Sequence, residues 1–323
     1  MISEKNTEYA FINIYIGKSS TLSSCCRLRS DTDNEYFNSF GSGSSKIGSL
    51  GVVTLNLPRL ALKSDNKEDF LAGIEYLTDV AARINDAKRK VVQKRIDNGN
   101  HPLYSLGFAN IKRQYSTTGI NGLNEALDVL DYDIMSEKGQ KFAIEMMDII
   151  NSENDKWSNK LNYPHNCEQV PAENASIKLV NKDKLMGYDL GVSFYSNQFV
   201  PLIQQADMID RLEIQGKLDK HFSGGAIAHV NNGEKIESTK VMEKLITIAA
   251  KLGVVYFAVN YNLQECDNGH IIVGQEETCS KCGAEIENNY TRVVGFLTDV
   301  DNWHKKRREE DYPERAWYRG GIM

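Results

Sequence analysis

The sequence predicts an α/β fold with a largely parallel sheet. Residues 50–56 are apolar and β-branched, with the length of a buried strand. Residues 66–97 show helical periodicity, and after residue 170 predicted strands and helices alternate at short intervals. Such alternation is typical of βαβ units, whose strands run parallel.

The clearest single element is the predicted helix over residues 66–97. Its apolar residues recur at helical spacing: Phe70, Ile74, Leu77, Ala81, Ile84 and Val91. Asp65 and Glu68 resemble a capping box at its start, and residues 98–100 end it. The pattern over residues 120–160 is again mostly helical.

The second half of the chain supplies the alternating elements. The predicted elements are strands near 175–181 and 189–195, a helix over 199–216, a strand over 226–230, a helix from Ser238 to Gly253, and a strand over 254–259. The charged residues 304–311 predict a solvated helix face.

Composition excludes several classes of protein. The net charge of −6 argues against a general nucleic-acid binder, and no apolar run reaches the roughly 18 residues of a membrane span. The N-terminal segment has no basic region followed by an apolar stretch, so a cytoplasmic protein is expected. Six cysteines are too few for a disulfide scaffold in 323 residues, which favours metal ligands or redox groups.

A cysteine cluster near the C-terminus predicts a structural zinc site. Cys279 and Cys282 have knuckle spacing, and Cys266 with His270 lies upstream at the spacing of a zinc ribbon. Four protein ligands leave no open position for chemistry. The alternative is that Cys279 and Cys282 are unligated or form a redox pair. Lys281 is the only lysine or arginine between 264 and 290, so the ribbon is expected to hold adjacent chain, without binding nucleic acid.

A glycine follows the ribbon directly. Gly295 lies in the segment Arg292-Val-Val-Gly-Phe-Leu, which by pattern alone predicts a bulge or a close-packing point. After a cysteine-rich ribbon and near the C-terminus, this segment resembles the radical-bearing loop of the anaerobic ribonucleotide reductases, a family of glycyl radical enzymes. Glycine suits a Cα radical because the flanking amides stabilise it only when the backbone can flatten.

Two adjacent cysteines near the N-terminus extend the resemblance. By themselves Cys25 and Cys26 are most simply a pair of small buried residues. The segment Cys25-Cys26-Arg27-Leu28 resembles the family's finger loop, whose relay cysteine precedes the arginine. That position is Cys26, with Cys25 as the second choice. Further segments resemble the family in the same order along essentially the whole chain: residues 48–59, 115–125, 170–174, 194–198 and 222–225.

The resemblance implies reduction of ribonucleotides, with triphosphates expected. A radical on Gly295 would take the hydrogen atom of the Cys26 thiol, and the thiyl radical would abstract the 3′-hydrogen of the substrate. Backbone donors for the phosphates are expected at these residues: Ser196, Asn197, Ser223, Gly224 and Gly225. An ordinary turn is the alternative for the two glycines. Glu173 would contact the ribose or cap a strand end.

The resemblance also implies an architecture. The expected fold is half of a ten-stranded α/β barrel with a zinc ribbon and a radical loop. The expected divisions are 1–50 for the finger loop, 51–260 for the half-barrel, 261–290 for the ribbon and 291–323 for the radical loop and tail. Family members continue far upstream of the relay cysteine, so an N-terminal half is expected as an obligate partner, in an oligomer.

Two further partners follow from the family. A radical-generating activase would carry the iron–sulfur cluster and use S-adenosylmethionine. Members that use formate as reductant have an asparagine where this chain has Ser49, which favours a small redox protein over formate. Other members carry a second cysteine where this chain has Leu57, which leaves Cys25 or Cys167 as the second thiol.

Three other functions fit parts of the sequence. A different glycyl radical enzyme, such as an acyltransferase or a diol dehydratase, would lack the ribbon. An inactive remnant or a zinc-ribbon adaptor would bind zinc and tolerate alanine at position 295. A phosphate-binding protein using residues 41–48 is disfavoured because that stretch lacks the Gly-Lys-Ser/Thr ending of a P-loop.

Overall fold

The computed structural model describes residues 1–17, 21–23, 29–31, 48–293 and 297–319. The strands in chain order are β1 Asn13–Tyr15, β2 Thr21–Ser23, β3 Arg29–Asp31, β4 Gly48–Asn56, β5 Gln114–Asn121, β6 His165–Gln169, β7 Ala228–Asn232, β8 Tyr256–Tyr261, β9 Leu263–Cys266, β10 Ile271–Val273, β11 Ile286–Arg292 and β12 Leu297–Asp299. The helices are α1 Ile2–Tyr9, α2 Leu57–Lys63, α3 Lys67–Asp97, α4 Pro102–Ser105, α5 Leu123–Val129, α6 Glu137–Leu161, α7 Glu173–Leu185, α8 Met208–Asp219 and α9 Thr239–Lys251. Among these described helices, none is long and apolar enough to cross a membrane.

Five parallel strands form the centre of the fold. β4, β5 and β6 pair in that order, and β7 pairs with β8. A parallel bridge between Glu168 and Gly225 joins β6 to the residues that lead into β7. β1 pairs with the outer edge of β8 in the antiparallel direction. The α/β prediction is therefore confirmed, and five parallel strands are the number expected for half of a ten-stranded barrel.

Helices cover one face of β4, β5 and β6, and the opposite face of β5 and β6 carries polar residues. Leu55, Ile120 and Cys167 lie in the core beneath the helices. Since side chains alternate along a strand, Glu168 lies on the opposite face together with Asn166. Both are buried. β5 and β6 are consequently rich in polar residues, and neither was predicted from the apolar pattern.

α3 lies where the sequence predicts a helix, but Ile84 and Val91 of its predicted apolar face are exposed. β4 lies where a buried strand is predicted, yet Leu55 is its only buried residue. α3 ends at Asn98 as expected, but its N-cap is Asn66, whose side chain accepts from the Asp69 amide. The Asp69 carboxylate in turn accepts from the Asp65 backbone amide. The capping arrangement therefore lies one residue later than the predicted pair of Asp65 and Glu68.

Part of the predicted second half is wrong. Residues 175–181 belong to α7 and not to a strand, and residues 189–195 form no strand. The predicted helix over 199–216 begins only at Met208. The buried face of α7 includes Ser176 and Asp183 among its apolar residues, so the apolar spacing that marks a helix is interrupted.

The C-terminal segments pack against this half-barrel. β9 to β12 form an antiparallel sheet in the order β10-β9-β11-β12. The following tail returns to the barrel, where Tyr318 bridges Asn232. His304, Lys305, Glu309 and Glu310 are exposed, as expected for the solvated face predicted over residues 304–311, but Arg307 and Asp311 are buried. Their opposite charges pair with each other, which allows both to leave water.

Candidate functional site

Three cysteines and one histidine converge at the tip of the antiparallel sheet. The ligand atoms of Cys266, His270, Cys279 and Cys282 all lie within 4.8 Å of one another. The Cys266 and Cys282 sulfurs are 3.8 Å apart, and His270 Nδ1 lies 3.2 Å from the Cys282 sulfur. The structure therefore brings together all four residues predicted to hold zinc.

These distances fit a tetrahedral zinc ion. Zinc–sulfur bonds of about 2.3 Å and a zinc–nitrogen bond of about 2.0–2.1 Å give sulfur–sulfur edges of about 3.8 Å and sulfur–nitrogen edges of about 3.6 Å. His270 Nδ1 lies 3.7 Å from the Cys266 sulfur and 3.9 Å from the Cys279 sulfur. The donor set, three soft thiolates and an imidazole, is one that zinc prefers.

Two tight turns make the cluster. Gly269 and Gly283 both have φ of +75°, a left-handed conformation that side chains rarely adopt. The Gly283 amide donates to the Cys279 carbonyl at 2.8 Å, which closes the second knuckle. The Asn268 amide, together with a backbone amide and His270, lowers the pKa of Cys282 to about 6. Cys282 therefore favours the thiolate form that binds metal, whereas burial raises the pKa of Cys266.

The ribbon is joined to the strand that precedes Gly295. Asn262 and Gln264 both donate from their side-chain amides to the Asn289 side-chain oxygen, at 3.0 and 3.1 Å. β11 then pairs with β12, and Arg292 lies opposite Leu297. Gly295 itself lies outside the described residues, between these two paired strands in the sequence.

β11 is also anchored to β7 and β8 near their carboxyl ends. The Asn260 side-chain oxygen accepts from the Thr291 hydroxyl at 3.1 Å and from the Arg292 amide at 3.3 Å. The Asn260 amide donates to Asn231 at 2.9 Å. Asn260 and Asn231 are both 1% exposed, so this connection between β7, β8 and β11 is shielded from water.

The tail holds the same strand from another side. Arg315 donates to the Arg292 carbonyl at 2.6 Å and is paired with the Asp311 carboxylate at 2.8 Å. Asp311 also pairs with Arg307, which donates to the Glu173 carbonyl and the Ser176 hydroxyl of α7. Burial alone would raise the pKa of Asp311, but the two guanidinium groups hold this pKa below its ordinary value.

The predicted phosphate-binding residues Ser196 and Asn197 lie in a loop at the carboxyl end of β5. The Ser196 carbonyl accepts from Asn121 and from the Gly122 amide, and its own amide donates to Glu125 at 2.7 Å. Burial raises the pKa of Glu125 to about 7 despite that hydrogen bond. The Asn197 side chain donates to the Pro171 carbonyl at 2.8 Å. This loop therefore lies at the strand ends where α/β proteins commonly bind ligands.

The other predicted substrate residues connect β6 to β7. The Gly224 amide donates to the Cys167 carbonyl at 2.7 Å, and the Gly225 carbonyl accepts from Gln169. The Ser223 hydroxyl donates to Asn151 and accepts from the Cys167 amide. These groups are thus engaged within the sheet, and the substrate role of all three residues stays a prediction.

The remaining residues singled out from the sequence are Glu173, Ser49 and the cysteines outside the zinc cluster. Glu173 begins α7, and its side chain is exposed. Cys25 and Cys26 lie outside the described residues. Cys167 is fully buried in the core, and burial raises the pKa of its thiol. As a second redox thiol it would be shielded from any reductant, which favours Cys25. The Ser49 hydroxyl lies 2.9 Å from the Thr117 hydroxyl.

Several residues of this site were not predicted. Glu125 and Asn260 form hydrogen bonds with residues that are distant in the chain, so the local sequence pattern does not predict them. Arg307, Asp311 and Arg315 recur at four-residue spacing with alternating charge, a pattern that indicates paired charges. This alternation of charge is visible in the sequence of the tail, but it is equally typical of a solvated helix face.

Comparison with known proteins gives consistent matches. A sequence profile of the family described as "Anaerobic ribonucleoside-triphosphate reductase" matches residues 2–318. The chain is similar to the anaerobic ribonucleoside-triphosphate reductase of Haemophilus influenzae, with 24% identity over 286 residues, covering 78% of this chain and 40% of that protein. Its likeness to the Salmonella typhimurium enzyme is 23% over 290 residues, again covering 78% and 40%.

Solved structures give the same picture. One described as an anaerobic ribonucleotide reductase aligns with a TM-score of 0.86 and 32% identity, covering 99% of this chain and 52% of that one. The anaerobic ribonucleotide reductase from Thermotoga maritima with glycerol in the active site aligns with a TM-score of 0.81 and 32% identity, covering 97% and 52%. The chain therefore spans about half the length of these relatives, or less.

Proposed function

The chain belongs to the family of anaerobic ribonucleoside-triphosphate reductases, and from that premise we propose that it supplies the catalytic half of such an enzyme. The reaction would reduce a ribonucleoside triphosphate to the deoxyribonucleotide by a radical mechanism. The observation that carries the proposal is the match over residues 2–318, which includes the Gly295 segment and the Cys25-Cys26 segment.

We assign the radical to Gly295 and the relay thiol to Cys26, with Cys25 as the second choice. Cys26 would give its hydrogen atom to the Gly295 radical, abstract the 3′-hydrogen of the substrate, and later return it. The 2′-hydroxyl would leave as water, and the external reductant would supply two electrons and two protons. The support is the sequence of both segments together with the anchoring of β11 on the ribbon, the barrel and the tail.

The proposed metal is a structural zinc ion held by the three cysteines and His270. The four donor atoms match a tetrahedron, and no position is left for water or substrate. Bound zinc would supply a cross-link that fixes the knuckles. Asn262 and Gln264 would then transmit that rigidity to Asn289 in β11.

We propose that the substrate binds at the carboxyl ends of the parallel strands. Ser196 and Asn197 are candidates because their loop lies there, although the Ser196 amide already donates to Glu125 and the Asn197 side chain to Pro171. We retain three further residues as candidates in the connection from β6 to β7, namely Ser223, Gly224 and Gly225. Two of their donors are engaged within the protein, since the Gly224 amide donates to the Cys167 carbonyl and the Ser223 hydroxyl donates to Asn151. The exposed carboxylate of Glu173 is a candidate contact for the ribose.

The proposed partners follow from how much of each relative the chain covers. An N-terminal half would supply the remaining strands of the barrel, and β4 has a free edge among the described residues to receive them. We retain the division at residues 50, 260 and 290 for finger loop, half-barrel, ribbon and radical loop. The activase would bring the iron–sulfur cluster and S-adenosylmethionine. A redox protein is favoured over formate as reductant because of Ser49.

Product formation tests the proposal. The chain would be combined anaerobically with a separately expressed N-terminal half, the activase, S-adenosylmethionine and a reductant, and deoxyribonucleotide would be measured by chromatography. We expect product from the wild type, none from Cys26→Ser, and product from Cys167→Ser. If zinc-loaded, folded protein makes no product under any reductant, the reductase proposal fails and an inactive remnant or zinc-ribbon adaptor is the better explanation.

A further inference from the structure

One buried arginine, Arg315, is connected to the strands on both sides of the loop that contains Gly295. The Arg315 guanidinium donates to the carbonyls of Arg292 and Val293, at 2.6 and 3.4 Å. Its carbon lies 4.7 Å from the centre of the Trp303 ring. The Trp303 indole N–H donates at 2.9 Å to the Thr298 hydroxyl of β12. Arg315 therefore contacts the strand before the loop directly and the strand after it through Trp303.

This guanidinium is held in a single position. Asp311 accepts from Arg315 Nε at 2.8 Å and from a terminal nitrogen at 3.1 Å, a forked arrangement that fixes the plane of the group. Arg307 binds the same carboxylate at 2.7 Å and connects it to Ser176 of α7. The side chains of Arg307 and Asp311 are 3% exposed, and that of Arg315 is 0% exposed.

The charges of this cluster explain why the carbonyls are bound. Two buried guanidinium groups share one carboxylate, so one positive charge is left without an ionic partner. A buried guanidinium needs acceptors on its remaining N–H groups, or the cost of leaving water is not offset. The carbonyls of Arg292 and Val293 are those acceptors, and their direction is therefore fixed by Arg315.

We propose that Arg315, oriented by Asp311, is a positioning residue that fixes the backbone on both sides of the radical-bearing loop. The inference rests on the proposed function for its catalytic meaning, because only there does Gly295 carry the radical. The contact itself, however, is a property of the described residues and can be tested without turnover.

Hydrogen exchange tests the positioning directly. We would compare zinc-loaded wild type, Arg315→Met, Arg315→Lys and the control Arg308→Met in the complex with the N-terminal half. Arg308 lies in the same tail with a side chain that is 40% exposed, and it contacts Asp301, which follows β12. Its replacement therefore removes the same charge without removing the Arg315 contacts to Arg292 and Val293. We expect amides of residues 290–293 and 297–299 to exchange at least about tenfold faster in Arg315→Met. Exchange in β9 and β10 should be unchanged, and Arg308→Met should match the wild type.

Wild-type exchange in folded Arg315→Met overturns the inference. If Arg315→Met does not fold or hold zinc, Arg315→Lys decides. Lysine keeps the charge but loses the fork, so faster exchange of the same amides supports the inference and wild-type exchange overturns it. Electron paramagnetic resonance after activation then separates the two proposals. A wild type without a radical refutes the proposed function and leaves the exchange result standing. If the wild type forms the radical and Arg315→Met forms at least about tenfold less of it, the positioning role and the proposed function are both supported.

Discussion

Replacing His270 by alanine tests the zinc ribbon most sharply. His270 Nδ1 lies 3.2, 3.7 and 3.9 Å from the three cysteine sulfurs, which is the spacing of a shared ion. Structural zinc sites bind with an apparent free energy of roughly 10–16 kcal/mol. Shared among four ligands, this gives about 2.5–4 kcal/mol for the imidazole, or a factor of ~10²–10³ in zinc affinity.

Competition with a chromophoric chelator measures that affinity. We expect His270→Ala to lose ~10²–10³ in affinity, His270→Cys to retain a closed four-ligand site, and the control His101→Ala to match the wild type. Cobalt substitution checks the number of cysteine ligands, because thiolate-to-cobalt absorption should increase in His270→Cys. Wild-type affinity in His270→Ala would show that another group is the fourth ligand, and the tetrahedral interpretation would be wrong.

Three further predictions concern stability and the reductant. Because burial raises the pKa of Glu125 from 4.5 to about 7, this carboxyl ionises earlier in the unfolded chain. Stability should therefore fall by about 3 kcal/mol as pH rises from about 4.5 through 7, and urea unfolding of Glu125→Gln should lack that decrease. Gly216→Ala would place its Cβ 2.0 Å from the Leu252 carbonyl oxygen, so we expect urea unfolding to show a loss of at least about 2 kcal/mol. The control Gly48→Ala meets nothing within 4 Å, and an equal loss there would refute the steric reason. Cys167→Ala should cost about 1–2 kcal/mol in unfolding and keep wild-type turnover with every reductant; lost turnover in stable protein would make Cys167 a redox thiol.

Those parts of the fold with a regular apolar pattern could be predicted. The helix over residues 66–97 buries Phe70, Ile74 and Ala81 at helical spacing, and the strand over 50–56 was found from its apolar, β-branched run, although only Leu55 in it is buried. β5 and β6 have the sequences QYSTTGIN and HNCEQ, and one of their faces lines a polar interior. A strand without apolar alternation gives no signal, and α7 failed for the related reason that Ser176 and Asp183 interrupt its buried face.

The site divides in the same way between local and distant contacts. The four candidate zinc ligands lie within 17 residues, from Cys266 to Cys282, so their short spacing was sufficient to predict that they come together. The anchoring of β11 depends on Asn260, on Arg315 and on the tail returning to the barrel. Such contacts join residues that are distant in the chain, and only the folded arrangement reveals them.

The central claim is that Gly295 carries a radical used in ribonucleotide reduction. Anaerobic electron paramagnetic resonance, after incubation with the activase, S-adenosylmethionine and the N-terminal half, tests it most directly. We expect a doublet, from the single remaining α-hydrogen, that is absent in Gly295→Ala, present in Gly48→Ala and collapsed by glycine deuterated at Cα. No signal from zinc-loaded, folded wild type, or a signal that persists in Gly295→Ala, would contradict it.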